Sequence, residues 1–407
     1  MKFDINKEFS FSQIGAAFKD KFGAFMGFIS RLDNSSIKTV KIKNRSVRIN
    51  ALRLGFIAAV LAAMVALFIN LVVIPNTTYR AYSGIEFDTG GDYIRHAFGD
   101  DILLLNNSGL RMVDNKGRNV WQIDATFTCP TVDIAGNYAL VADLDGNNTL
   151  TLYNRDGETV TSYEISTDIL AAKVNKRGIA AAAINEEGYM GSAVVYDRNG
   201  NEIFKWNSGE GYIIDVDISN DGRSVAVAQM MSDGTEAYSR IHILNISNGE
   251  ETAGFVCDGD LVAKVCFDSS DNLTAIAQDC VYNITKRGRE NFKIDLAGKS
   301  ASEYDVENGD YLLFLCSDSR GNSTLEIYSK RGKYLGSYVS ADTINNIAAF
   351  EKNIVVSTSR DVLSLSRKGK VRKTINISHD IMSIGIYGNG RNVLVLGGYT
   401  ADIVRIK

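Results

Sequence analysis

Proline is nearly missing from this 407-residue sequence, which holds only Pro75 and Pro130. Histidine and tryptophan are as scarce: His96, His242, His379, Trp121 and Trp206 are the whole supply. The three histidines lie far apart and form no pair at metal-ligand spacing, so no metal centre is expected. Asp143, Asp145 and Asn147 start like a calcium loop, but Asn148 stands where glycine is needed and Asn154 where glutamate is. Gly298-Lys299-Ser300 ends like a phosphate loop, but Lys293 replaces its first glycine. The five cysteines (Cys129, Cys257, Cys266, Cys280 and Cys316) are an odd set, so not all can pair. They read as small buried apolar residues, with Cys257 and Cys266 as the pair to test for a bond. No catalytic residue, cofactor or nucleic-acid partner is expected.

Charge is missing in one place of consequence. Leu54 to Ile74 carries no charged residue and only Asn70 as a strongly polar one, and Pro75 ends the run. Those 21 residues would span roughly 31 Å as a helix, the thickness of a hydrocarbon core. The 53 residues ahead of it are too many for a cleaved signal peptide, so a transmembrane helix over 54–75 is expected. Lys41, Lys43, Arg45, Arg48 and Arg53 crowd its N-terminal flank, and the other flank has no cation before Arg80. The positive-inside rule then puts residues 1–53 in the cytoplasm and 79–407 outside. Gly55, Ala59 and Ala63 form a small-residue ladder that would permit a homodimer through the span, or is simply filler.

The formal net charge of −4 conceals two parts of opposite sign. Residues 1–53 hold eleven Lys/Arg and four acids, a sum of +7, which leaves −11 for the rest. Within this basic arm, Phe11, Ile14, Phe18, Phe22, Phe25, Ile29 and Leu32 recur every three or four residues. They predict an amphipathic helix that lies on the inner leaflet or docks a partner, with a partly disordered tail as the alternative.

The 36 glycines are plentiful, and seven of them organise the rest. Gly117, Gly157, Gly200, Gly249, Gly288, Gly332 and Gly369 each close a short polar turn between two strand-like runs, at intervals of 37 to 49 residues. Six residues after each comes a large apolar residue: Ile123, Tyr163, Trp206, Phe255, Ile294, Tyr338 and Ile375. Four before each is apolar as well, except Asn245. Two further strand-like runs separate successive hairpins, as in 212–229. Four strands in about 40 residues is the blade of a β-propeller.

Three strands follow the seventh hairpin, and one unpaired candidate, Tyr79 to Phe87, precedes the first. An all-β, eight-bladed propeller over 79–407 is therefore expected, its last blade completed by the N-terminal strand beside 401–406. Seven blades is the alternative. The c–d turns carry Lys286, Arg287 and Arg289, then Lys330, Arg331 and Lys333, then Arg367, Lys368 and Lys370. This cationic arc is expected on anionic lipid headgroups, with simple solvated turns as the alternative. The d–a and b–c loops would then point outward and meet a partner.

The basic arm, the span at 54–74 and the N/K-x-G hairpins across 79–407 resemble a bacterial membrane family of unknown function, the domain-of-unknown-function family 5711. The run DISNDGRSVAVA at 217–228 is similar to the a–b hairpin of WD40-like and quinoprotein-like propellers, although the repeated Trp motifs of quinone-binding members are absent. The resemblance implies no activity. The favoured function is a non-catalytic scaffold at the cell envelope that binds a protein or wall polymer. The alternative is an extracytoplasmic enzyme acting on glycans with carboxylates in the channel.

Overall fold

The structure is a computed structural model that describes residues 37–42, 45–50, 85–86, 93–144, 148–296, 298–317 and 323–406. The chain divides into two compact units, Met1–Thr78 and Tyr79–Lys407. In the first, Ile37–Ile42 and Arg45–Asn50 pair as an antiparallel hairpin inside the basic arm. The expected amphipathic helix and the 54–75 span both lie outside the described residues, among which no helix is long and apolar enough to cross a membrane.

The second unit is built of eight antiparallel four-stranded sheets. The strands of each blade are lettered a to d from the axis outward. Blade 1 runs Ile94–Phe98, Asp101–Asn106, Gly109–Val113 and Asn119–Asp124. Blade 4 is the largest, with Tyr212–Ile218, Ser224–Ser232, Ala237–Asn245 and Glu251–Cys257. Blade 8 takes three strands from the C-terminus, Ser383–Ile386, Asn392–Leu396 and Thr400–Arg405. Its fourth is Ile85–Glu86, with Ile85 opposite Ala401 and Glu86 opposite Thr400. The ring closes with eight blades, not seven.

Eight hydrophobic clusters fill the eight seams. They arise because the b and c strands are buried on both faces, and period-two alternation sends their side chains to two neighbours. Ala180 and Ala182 of blade 3 pack toward blade 2, while Ala181 and Ala183 pack toward blade 4. Ile123, Tyr163, Trp206, Phe255, Ile294, Tyr338 and Ile375 all sit on d strands, each in a different cluster. The eighth cluster, between blades 8 and 1, centres on Tyr387, Ile102 and Leu394.

The seven glycines that close the c–d turns all have positive φ, from 71° to 97°. The three-residue offset missed in the sequence is the cap. Asp114 accepts from the N–H of Lys116 and Arg118, and Asn154, Asp197, Thr285, Ser329 and Ser366 hold the matching position. Blade 4 has one more residue in this turn, so Asn245 is its cap, which explains why it broke the apolar pattern.

The seam that joins the last blade to the first is the tightest. A Cβ on Gly388 would lie 1.6 Å from the Gly99 carbonyl oxygen, whereas one on Gly209 would meet nothing within 4 Å. Gly388→Ala should lower stability by about 1–3 kcal/mol through overpacking, and Gly209→Ala should change it by less than about 0.5 kcal/mol. Chemical denaturation of the full chain checks this, and equal tolerance of both changes would show that the seam yields.

Candidate functional site

The a strands line the axis, and their inner edge has no fifth strand to pair with. Blades 2, 4 and 6 solve this with carboxylates. Asp133 of blade 2 accepts from Val174 N at 2.8 Å in blade 3. Asp215 and Asp217 of blade 4 accept from Val265 N at 2.8 Å and Phe267 N at 2.5 Å in blade 5. Glu303 and Asp305 of blade 6 accept from Ile347 N at 3.1 Å and Ala349 N at 2.8 Å in blade 7. From blade 1, Arg95 reaches the other way to Ile384 O at 2.6 Å and Asn346 Oδ1 at 2.9 Å.

An ion-pair network crosses the axis on top of these bonds. Lys173 lies 3.0 Å from Asp133 and 3.8 Å from Glu307, and Lys264 lies 2.6 Å from Glu307. Glu307 belongs to the a–b turn of blade 6 and so links it to blades 3 and 5. Burial alone would raise its carboxyl, but the two ammonium groups overcome that and hold it down to about 2. Asp215 and Asp217 behave oppositely. Burial pushes them up to about 6 and about 8, against the pull of Lys173 and the backbone N–H groups. Glu303 and Asp305 are also raised by burial. Burial lowers His96, which lines a 330 Å³ cavity on the blade 1 side of the axis.

Two mouths flank this axis. In an antiparallel blade the a–b and c–d turns share one end, and the b–c and d–a loops share the other. At the a–b end opens an 850 Å³ cavity whose floor holds Lys173, Asp217 and Glu307 and which widens between blades 5 and 6. The mouth expected to face away from the partner therefore carries the larger cavity. At the b–c end, large apolar side chains are exposed over blades 3 to 5 among the acids Glu187, Glu210, Asp233, Glu236 and Asp258. Tyr189, Met190, Tyr212, Met230 and Leu261 are all exposed there, Tyr212 at 58%. Tyr212 and Met230 are direct cross-strand partners, Met230 pairs with Ser239, and Ser239 Oγ accepts from Val262 N beside Leu261.

Beneath the patch is a buried polar network. Gln229 Nε2 donates to Ser208 Oγ at 2.6 Å and Glu210 O at 2.8 Å, and its Oε1 lies 2.7 Å from His242 Nε2. Trp206 packs on the His242 ring at 5.2 Å between centroids, and burial holds His242 below its ordinary range.

Of the cationic c–d residues, Lys286, Arg287, Arg289, Arg331, Lys333, Arg367, Lys368 and Lys370 are exposed. Lys330 differs: it turns inward, donates to Val306 O at 2.5 Å and is lowered by burial. Lys41, Arg45 and Arg48 fall on the arm hairpin, while Lys43 and Arg53 lie outside the described residues. Asp143 caps Thr128 N and Cys129 N instead of starting a calcium loop, and Asp145 and Asn147 lie outside the described residues. All five cysteines are free. Cys257, on the d strand of blade 4, faces blade 5, and Cys266 of blade 5 faces blade 6, so the expected pair sits on opposite sides of blade 5.

A single family model spans the chain from residue 75 to residue 406. The chain belongs to DUF5711, a family of unknown function. No curated protein matches it. Among solved structures, this DUF5711 chain is similar to the computationally designed Ika8 protein, with a TM-score of 0.60 at 13% identity over 80% of this chain and 98% of that one. The C-terminal WD40 domain of Sif2 gives 0.57 at 13%, over 79% and 98%. BamB from Moraxella catarrhalis gives 0.50 at 14%, over 79% and 100%. At such identities the likeness speaks for the fold alone.

The axial carboxyls set a pH dependence. With Asp217 near 8 when folded and about 4 when unfolded, the folded state holds an extra proton between those values. Stability should fall as pH rises through that window, by at most about 1.4 kcal/mol per unit. Asp217→Asn keeps an acceptor for Phe267 N and removes the ionisation. The variant should match the parent at about pH 4 and melt higher at pH 9, and parallel melting curves across that range would refute the buried-proton account.

Proposed function

We propose that this DUF5711 protein is a membrane-anchored, extracytoplasmic binding protein that holds a protein partner on the b–c face of its propeller. The observation that carries the reading is the group of exposed Tyr, Met and Leu side chains on the b–c face of blades 3 to 5, with Tyr212 directly opposite Met230. An apolar patch with a polar surround marks an interaction surface, and aromatic and Met side chains are enriched at such interfaces. The Ser208–Gln229–His242 network fixes the strands that present Tyr212 and Met230, so the patch is pre-organised.

The uncharged run at 54–74 supports anchoring, and the cations before it support an outside propeller. The pairing of Ile85–Glu86 has the outer strand of blade 8 running away from the c–d end. A chain that enters there from a bilayer would leave the b–c face outward, with Arg287, Arg331, Arg367 and Lys368 near anionic headgroups.

A second reading has one observation in its favour. A carboxyl held protonated near neutrality, as at Asp217, is what a general acid on a glycan needs. Yet both Asp217 oxygens already accept backbone N–H groups, from Ile218 and Phe267. The axial acids are committed to joining blades, which favours binding over catalysis.

Cys129 is the one exposed thiol among the described residues and serves as a native reporter. A membrane-impermeant maleimide should label it to near completion on intact cells, and labelling only after lysis would reverse the topology. Crosslinking from intact cells should capture a protein at the patch. Tyr212→Ser with Met230→Ser should cut capture by about tenfold or more without lowering the melting temperature; undiminished capture would remove the patch from the reading. Replacing Arg287, Arg331, Arg367 and Lys368 with Gln should weaken binding to anionic vesicles, by about 1 kcal/mol per residue. Unchanged vesicle binding would leave the arc as solvated turns.

A further inference from the structure

The a–b mouth is a second site of different chemistry from the apolar patch. We propose that its 850 Å³ cavity binds a neutral, hydroxyl-rich ligand, a short oligosaccharide of a few rings.

The charges on the cavity floor are spent on each other. Lys173 and Lys264 neutralise Asp133 and Glu307, and the rest of the lining carries both signs, Lys176, Lys330 and Arg331 beside Asp217, Asp268 and Asp310, so neither an anion nor a cation is favoured. What the walls offer instead is amide. Asn220, Asn272, Asn291 and Asn308 all line the cavity. Each uses its Nδ2 on a neighbour, on Asp268 O, Asp268 Oδ2, Asn283 Oδ1 and Asp305 Oδ1 respectively, which leaves four side-chain oxygens without a donor. Free acceptors around a cavity call for a ligand that presents many O–H donors. Phe267, half-buried in the wall, gives an apolar surface for one face of a sugar ring.

An extended peptide fits less well. Strand addition needs a free backbone edge, and the inner-strand amides of Val174, Val265, Phe267, Ile347 and Ala349 are already taken by carboxylates. A hydroxylated ligand needs no such edge.

The test uses the full chain in a detergent without a sugar headgroup, titrated calorimetrically with chitotetraose and with cellotetraose. Saturable binding of at least one is expected, weakened about tenfold or more in Asn272→Ala and in Asn291→Ala. Both variants should keep the parent melting temperature, and Tyr212→Ser, on the opposite face, should bind the sugar as the parent does. Saturation-transfer NMR on the bound sugar would show its ring protons in contact. No saturation by either sugar at millimolar concentration overturns the proposal. So do sugar affinity that is unchanged in both asparagine variants, and equal affinity for inorganic phosphate or tetraglycine. Because the patch and the mouth lie at opposite ends of the blades, failure here leaves the protein-binding reading standing, and the reverse holds too.

Discussion

The propeller depends on how its inner edge is closed. Eight a strands converge on the axis, each with one row of N–H and C=O groups turned away from its own sheet. Left bare, those groups would pair with water in a wide channel or with another chain. Here Asp133, Asp215, Asp217, Glu303 and Asp305 accept the N–H groups of the following blade, so each bond joins two blades and silences an edge at once. The apolar seams supply most of the burial, but hydrophobic packing has little direction. The carboxylate–amide bonds fix how far one blade slides along the next.

That solution has an electrostatic cost. Carboxylates buried at the axis are desolvated, which is why Asp217 and Asp215 sit so far above the usual carboxylate range, with repulsion from Asp133 and Glu307 adding to it at Asp217. Lys173 and Lys264 offset part of it, and their pairing draws Glu307 across from blade 6. The polar axis is thus one coupled network, in which removing one member strands the others. Truncating one partner of a buried pair generally costs about 3–5 kcal/mol. Acids with such duties are poor candidates for chemistry, because a catalytic carboxyl must be free to exchange its proton with substrate.

The eight blades were legible in the sequence because their turns are chemically demanding. A glycine at positive φ with an apolar residue six positions later marks each d strand, and three C-terminal strands without a fourth require an N-terminal partner. The axial acids were not legible, although YIIDVDI was plainly a strand. A charged residue inside an apolar run has meaning only once its partner is known, and Val265 and Phe267 lie 50 residues further on. The Asx caps were legible but unread: Asp114, Asn154 and Asp197 stand at a fixed offset from their glycines. The apolar patch was out of reach, because Met190 and Tyr212 differ from core residues only in lying at strand ends that no neighbouring blade covers.

Where a repeat departs from its own rule, something other than folding has acted on it. Blade 4 departs most. Its b and c strands run nine residues each, and its c–d turn carries an extra residue. None of this is needed to close a ring, since the other blades close it without. The lengthened hairpin holds one side of a buried network in which Gln229 bonds Ser208, Glu210 and His242, and His242 Nδ1 lies 3.2 Å from Glu251 Oε1. A long hairpin that sets exposed Met230 directly opposite Tyr212 of the a strand presents more surface than ring closure requires. The irregularity of blade 4 therefore argues for recognition at that face on grounds separate from the patch itself.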